Sequence, residues 1–489
     1  MPKIDSRYLP LFCLLAVCLL LGLATFRDFG AGWDEPSSYQ HGREALSAYA
    51  HPATEPVYSD SDGLLQYYGA AYLLTGAALG LSTYPAFHLL NFFTFLLGLA
   101  AFYALLLRWV SPAAALGGTL LLATQPLLWG HAFINPKDVP FTAFFLVSLA
   151  AGFWMLDKMG TASGWERILL PVGCGLLLGY ATSTRIAAPL AGGILSLLAL
   201  FRWRLKALPF LGLYWLACGL AAYATWPYLW PDPFHRFLTS LQTMSAFPWK
   251  SKVLFDGIYY HADNLPWRYF PKLLVFQLTE PALLLALAGT LVLLWQLRTR
   301  RELVFTLLLW FAAPAAYLVL ARPTMYDNFR QFLFITPPIF ICCALGLDVL
   351  FKRWSRPQFQ VVFLLLAALP GLAAGIRLHP YEYVYYNSLA GEISGRYETD
   401  YWGTSFREAA NYLNEHAPQR AVVSIGPWGQ IQELLRPDLV IDRAEISPNS
   451  DYVLIFSRWD YEKNPAFTGQ PVYTVARAGA VFLTLQRMP

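Results

Sequence analysis

Long apolar runs separated by short polar turns fill most of the chain before residue 376. A helix needs about 20 mainly apolar residues to cross a bilayer core. Eleven stretches qualify as spans: 8–26, 86–107, 113–130, 139–156, 168–183, 187–201, 207–226, 272–297, 303–320, 331–350 and 359–376. The first resembles a signal peptide, but its apolar run is long and no A-x-A site follows it, so it reads as a membrane anchor. A further apolar stretch, 64–84, holds Gly69, Gly76 and Gly80 and is ambiguous by pattern alone. After 377 the pattern changes. Residues 404–415 suit an amphipathic helix, and AVVSI (421–425), DYVLIF (451–456) and PVYTV (471–475) suit strands. A tail of about 100 residues is long enough for a small α/β domain.

Basic residues set the topology, because Lys and Arg in short loops stay on the cytoplasmic side. The clusters are Lys3/Arg7, Arg108, Lys158/Arg167, Arg202/Arg204/Lys206, Arg298/Arg300/Arg301 and Lys352/Arg353/Arg356. All six share one side if eleven spans cross and 64–84 does not. The stretch 64–84 is therefore expected to lie in or dip into the outer interface. The outward parts are then a loop at 27–85, a turn at 131–138, a long loop at 227–271 and the tail 377–489, with smaller turns at 184–186 and 321–330. Two units follow: a transmembrane catalytic domain over 1–376 and an extracytoplasmic α/β domain over 377–489.

Composition agrees. Charged residues make up 13% of the 489 positions, about half the roughly 25% of a soluble domain. Aromatic residues reach 16%, as expected where many helix ends meet the lipid–water interface. A disordered, fibrous or ordinary cytosolic protein is excluded. The net charge of +4 includes no basic run interleaved with aromatics, so no nucleic-acid partner is expected. All six cysteines fall inside apolar segments, which leaves neither a disulfide framework nor a CxxC metal site.

Few polar residues remain once burial in lipid is allowed for. Trp33-Asp34-Glu35-Pro36 places two adjacent carboxylates just beyond the first span, with no local cation to pair with them. The plainer reading is a solvated loop with Asp34 as a helix N-cap before Pro36. His131 to Pro140 brings Asn135, Lys137 and Asp138 to the outer end of the third span, where Lys137 and Asp138 could equally form a surface pair of little energetic weight. Arg185, in Thr182-Ser-Thr-Arg185, lies between two apolar segments. It either serves a site or snorkels to headgroups. Tyr326-Asp-Asn-Phe-Arg330-Gln331 precedes a late span. Lys137, Arg185 and Arg330 are three cations able to surround an anionic headgroup, and Arg can bind phosphate bidentately. Asp60-Ser-Asp62 matches a metal-binding D-x-D, but no Rossmann-like unit precedes it, so it reads as loop. His41 and Arg43 read as interfacial.

The order of these elements resembles the GT-C superfamily of membrane glycosyltransferases. The likeness is nearest to family 39, which includes protein O-mannosyltransferases and lipid A aminoarabinose transferases. In that pattern an acidic pair follows the first span and interfacial helices follow the pair. A further acidic residue comes at the end of the third span, then a cation between two later apolar segments, then an aromatic and basic turn before a late span. Asp34-Glu35, Asp138, Arg185 and Tyr326…Arg330 fall in those places over about residues 1–350. Two departures are visible. The family's lysine before the interfacial helix is not evident in Tyr58-Ser-Asp60-Ser-Asp62-Gly63, and position 185 is Arg where the aminoarabinose group has Lys. Tyr397-Glu-Thr-Asp400-Tyr-Trp-Gly403 resembles a segment of other bacterial relatives.

The resemblance implies a polyprenyl-phosphate-linked sugar donor and a protein, lipid or glycan acceptor at the outer face of a bacterial inner or plasma membrane. Asp34 is then the expected general base, with Glu35 and Asp138 as further catalytic carboxylates. Lys137, Arg185, Tyr326 and Arg330 are expected to bind the donor phosphate. An unperturbed Asp has a pKa of about 4, so Asp34 is a weak base unless burial or Glu35 raises that value. Glu35 and Asp138 either orient the base or the sugar, or hold a divalent cation (Mg or Mn) through oxygen ligands. No metal ligand is assigned. Two other classes compete: a flippase for lipid-linked sugars, which should carry inverted repeats or broken midplane helices, and a non-catalytic envelope protein whose tail binds glycan or a partner.

Overall fold

The computed structural model describes residues 5–51, 63–426, 429–444 and 449–489. Asp60, Asp62 and the preceding Tyr58 lie outside the described residues. Among the described residues seven helical stretches are long and apolar enough to cross a membrane, or eight if the bent pair Tyr269–Phe276 and Glu280–Trp295 is one span. The chain is thus a multi-pass integral membrane protein. One of the seven, Pro189–Thr225, runs for 37 residues, far more than the roughly 20 that one crossing takes. It consists of two helices, Pro189–Trp203 and Leu208–Thr225, separated by a 3-10 turn that opens at Arg204 with φ 51°. Prolines sit in the first turn of Tyr84–Leu106, Pro112–Ala123, Pro337–Arg353 and Pro357–Leu378, where a missing N–H costs nothing.

Two predicted spans are broken, and the breaks meet. The stretch 113–130 divides at Gln125 into Pro112–Ala123 and Pro126–Ile134. The stretch 272–297 bends by 113° between Phe276 and Glu280. Gln125 Nε2 donates to Thr279 Oγ1 at 2.9 Å, and its Oε1 accepts from Thr279 N at 3.1 Å. Asn387 donates to the carbonyls of Val275 at 2.7 Å and Leu278 at 2.8 Å. Protein groups thereby satisfy the freed backbone, as irregular chain at membrane depth requires.

The basic clusters gather at one end of the bundle. Arg108 and Arg202 each pair with both Asp157 and Glu302. Arg300 donates to Trp109 O at 2.8 Å, Ser111 N to Asp348 at 2.9 Å, and Lys352 to Asp348 at 2.6 Å. Tyr103 OH donates to Arg7 O at 2.5 Å. Within 64–84 the structure forms a 3-10 turn and the eight-residue helix Ala71–Ala78. At 1.5 Å per residue that helix is about 12 Å long, too short for a bilayer core of about 30 Å.

The tail carries helix Phe406–His416 and a five-stranded sheet, and the expected strands fall on three of its members. A hairpin in the long loop supplies β1 (Lys252–Phe255) and β2 (Ile258–His261). The sheet comprises β3 (Val422–Ser424), β4 (Val440–Asp442), β5 (Tyr452–Phe456), β6 (Gln470–Arg477) and β7 (Ala480–Arg487), in the order β4-β3-β5-β7-β6. All five residues of β5 are buried. One continuous apolar core runs from Phe92 and Leu149 among the helices to Leu454 and Leu483 in the sheet. The tail is therefore packed onto the bundle.

Candidate active site

Asp34 stands at the start of helix Glu35–Ser47 but makes no side-chain cap bond. Its carboxylate turns instead to Lys137 Nζ at 3.2 Å and Arg330 Nη2 at 3.4 Å. This geometry sets the N-cap reading aside. The loop is anchored by Trp33 N, which donates to Trp402 O at 3.1 Å.

Lys137 and Asp138 are presented by a turn that Asn135 organises. Asn135 Oδ1 accepts from the backbone N–H groups of Lys137 at 3.1 Å and Asp138 at 2.9 Å, and its Nδ2 donates to Asp138 Oδ2 at 2.9 Å. Asp138 opens helix Asp138–Met159, where a carboxylate meets the positive end of the helix dipole. It is 1% exposed and pairs with Arg185 and, at 3.3 Å, with Arg330.

Arg330 is the hub. It reaches Asp34, Asp138 and, at 3.1 Å, Asp327. Its guanidinium lies 4.5 Å from the Trp402 ring centre and 5.2 Å from that of Tyr326. Tyr326 stacks in turn on Trp249 at 4.5 Å. The turn that holds them places Asp327 and Asn328 at φ 52° and 60°, a left-handed conformation that Asp and Asn tolerate best after Gly.

The structure thus brings together six of the seven expected site residues: Asp34, Lys137, Asp138, Arg185, Tyr326 and Arg330. Glu35 is not among them. It is fully buried and accepts from Tyr39 OH, from Gly32 N at 2.8 Å and from His88 Nε2 at 3.1 Å. It braces the loop from behind and does not face the cations. Asp34 is also the accessible carboxylate of the cluster, with its side chain 31% exposed against 1% for Asp138 and 5% for Arg330.

The condition that would make Asp34 a stronger base, a raised pKa, is not met in the free protein. Burial pushes the carboxyl upward, but the charges of Lys137 and Arg330 outweigh it and hold the pKa below the ordinary Asp value. Asp34 therefore stays ionised, paired to Lys137 and Arg330. Among the described residues no three His, Cys, Asp or Glu side chains come together as a metal site. With Glu35 turned away and Asp138 engaged by two arginines, these residues do not fit a divalent cation.

Several participants carried no clear signal in sequence. Tyr68 lies with its ring 5.4 Å from Lys137 Nζ and 5.8 Å from the Arg185 guanidinium. The next residue, Gly69, is packed so closely on the Ser183 backbone that a Cβ would collide with it. Arg458, after β5, pairs with Asp327 and, at 3.0 Å, with Glu398. It is 5% exposed and lies over Trp33 at 4.8 Å and Trp459 at 4.6 Å. Asp34–Arg330–Asp327–Arg458–Glu398 is a continuous ion-pair chain from the first loop to the tail. Asp327 lies inside the turn already singled out, and Glu398 inside the segment Tyr397–Gly403, to which no chemistry attaches in sequence. Nothing in the sequence couples Arg458 to either.

No protein-family model matches the chain, and no curated sequence matches it significantly. Solved structures do resemble it. ArnT from Cupriavidus metallidurans in the apo state superposes with a TM-score of 0.51 and 16% identity, over 97% of this chain and 98% of that one. The same protein bound to undecaprenyl phosphate gives 0.54 and 14% over 97% of each. The archaeal oligosaccharyltransferase AglB from Archaeoglobus fulgidus, in complex with an inhibitory peptide and a dolichol-phosphate, gives 0.52 and 13% over 91% of this chain and 69% of that one. The chain has the GT-C membrane fold.

Proposed function

We propose that this chain is an inverting glycosyltransferase that moves a sugar from a polyprenyl-phosphate donor to a protein, lipid or glycan acceptor. The observation that carries this reading is the meeting of Lys137 and Arg330 on Asp34 Oδ2, from positions 103 and 296 residues away, with Arg185 one carboxylate further on. Solved GT-C structures that contain undecaprenyl phosphate or dolichol-phosphate support a lipid-phosphate ligand. In this reading the bundle crosses the membrane eleven times, with Pro189–Trp203 and Leu208–Thr225 as separate spans. The basic end is cytoplasmic, and Asp34 and the tail face the outside of a bacterial inner or plasma membrane. Residues 1–376 form the catalytic unit and 377–489 the extracytoplasmic one.

The acceptor oxygen attacks the anomeric carbon opposite the phosphate. The bond from that carbon to the phosphate oxygen breaks, and its electron pair leaves with the polyprenyl phosphate. The acceptor proton passes to Asp34. The leaving phosphate has a second pKa of about 6, so it departs as an anion without a general acid where cations stabilise the developing charge. Lys137, Arg185 and Arg330 supply that charge. Asp138 holds the two arginines in place, and Tyr326 and Tyr68 flank the cations with their rings.

The test is purified protein in lipid nanodiscs with synthetic polyprenyl-phosphate sugars. Transfer is expected to release polyprenyl phosphate together with glycosylated acceptor, and Asp34→Asn is expected to abolish it. Near wild-type turnover in that variant overturns the base assignment.

A further inference from the structure

A cavity of about 470 Å³ opens between the hairpin of the long loop, the segment 394–401 and the sheet of the tail. Its volume lies within the roughly 300–1,000 Å³ of small-molecule sites. We propose that it binds a neutral glycosyl group, the sugar portion of the acceptor. The proposal rests on the transferase reading above, because it is the contact of the cavity wall with Trp33, the residue before Asp34, that makes the occupant an acceptor.

The lining chemistry selects this class. Tyr259, Tyr397 and Tyr401 line the cavity. Tyr397 and Tyr401 are almost wholly buried against other rings, so half-buried Tyr259 supplies the aromatic face for the C–H side of a pyranose, and an aromatic face beside a few polar groups is the usual make-up of such a site. Four carboxylates, Glu398, Asp400, Asp460 and Glu462, face two cations, Arg458 and Lys463. Both cations are already paired, Arg458 with Asp327 and Glu398, and Lys463 with Asp460 at 2.8 Å. An anion entering here would meet net negative charge and no unpaired cation. Ionised carboxylates only accept hydrogen bonds, which suits a ligand rich in hydroxyl donors. Around Arg330 cations and carboxylates are equal in number and one carboxylate, Asp34, stands partly exposed, whereas here carboxylates outnumber cations four to two, so the two sites divide donor from acceptor by charge.

Position supports the same assignment. Arg458 forms part of the cavity wall, and its Nε has no hydrogen-bond partner among the described residues although the side chain is 5% exposed. It lies over Trp33, the neighbour of Asp34, and pairs with Asp327, which pairs with Arg330. Trp33 also stacks on Trp459 at 6.0 Å. The cavity is therefore joined to the Asp34 loop by direct contacts. Tyr397–Asp400, a segment to which no chemistry attaches in sequence, forms one of its walls.

The experiment uses the full-length protein in detergent and saturation-transfer NMR with neutral mono- and disaccharides: glucose, galactose, mannose, N-acetylglucosamine and lactose. Undecaprenyl-phosphate binding is measured in parallel by native mass spectrometry. Val481→Trp fills the cavity from an exposed strand position (Val481 is 43% exposed), and Tyr259→Ala removes one aromatic wall. At least one saccharide is expected to bind the wild type, with tenfold or greater loss in both variants and unchanged undecaprenyl-phosphate binding. Saccharide binding that survives Val481→Trp overturns the proposal. So does a wild type that binds undecaprenyl phosphate but none of these sugars, and so does a Ser/Thr-rich peptide that displaces the sugar by occupying the cavity itself. Failure of undecaprenyl phosphate to bind the wild type refutes the transferase reading instead.

Discussion

Replacing Asp34 with Asn should tighten polyprenyl-phosphate binding while it destroys transfer, because the carboxylate and the donor phosphate need the same cations. Asp34 lies 3.2 Å from Lys137 Nζ and 3.4 Å from Arg330 Nη2. At an effective dielectric of about 20 each pair represents about 5 kcal/mol of direct attraction. Most of it is offset by desolvation and side-chain ordering, and Asp34 is nearly a third exposed, so the net value is about 1 kcal/mol. Freeing the cations should therefore lower the undecaprenyl-phosphate Kd about fivefold. Loss of a general base costs about 10²–10⁴-fold in turnover. Native mass spectrometry gives the first quantity and single-turnover transfer in nanodiscs the second. Weaker lipid binding in Asp34→Asn would refute the competition, and retained turnover would refute the base.

The same geometry fixes other outcomes. In the free enzyme Lys137 and Arg330 keep the Asp34 pKa below its ordinary value, so the carboxylate persists as pH falls and is protonated only below about pH 4. The acid limb of kcat/KM should lie there, and that of kcat at higher pH, because bound phosphate draws the cations away; coincident limbs in the two profiles would count against the exchange. Arg185→Ala should weaken undecaprenyl-phosphate binding about tenfold or more, and an unchanged Kd would remove Arg185 from the phosphate site. Glu35→Ala, which breaks a buried cluster with Tyr39 and His88, should cost about 3 kcal/mol of stability, seen as a lower unfolding temperature in detergent; Glu35→Gln should keep most turnover, and its loss at unchanged stability would make Glu35 a reacting group. Gly69→Ala forces a Cβ against the Ser183 backbone and should displace Tyr68, lowering transfer and undecaprenyl-phosphate binding together.

What was legible in sequence followed from simple solvation physics. Apolar runs gave the helices, and basic turns gave the two ends, now seen as the Arg108–Asp157–Arg202–Glu302 cluster opposite Asp34. The parity argument for 64–84 agrees with a helix of only eight residues. Charge scarcity singled out Asp34, Lys137, Asp138, Arg185 and Arg330, because a charge near lipid persists only with a partner or a task. Adjacency misled at Glu35. One residue along a helix turns a side chain through about 100°, so neighbouring carboxylates face different surroundings. The breaks at Gln125 and Thr279 were hidden because each is satisfied by a residue from far along the chain. Arg458 and Glu398 were unreadable for the same reason: their partners are fixed only when the tail docks on the bundle.

That docking explains how a cluster of cations is stable with no bound anion. Four buried or half-buried cations, Lys137, Arg185, Arg330 and Arg458, would repel each other in low dielectric if left alone. The protein answers with Asp34, Asp138, Asp327 and Glu398, alternating with them along one network. Asp138, Asp327 and Glu398 are almost wholly buried, whereas Asp34 stands at the open end. In the proposed reaction a donor phosphate therefore exchanges with Asp34 without breaking the rest of the network. In that reaction the carboxylate released by the exchange is the proposed base, and it becomes more basic as the cations turn to the phosphate. Donor binding and activation of the base are then a single event, which limits proton transfer to complexes that already hold the sugar.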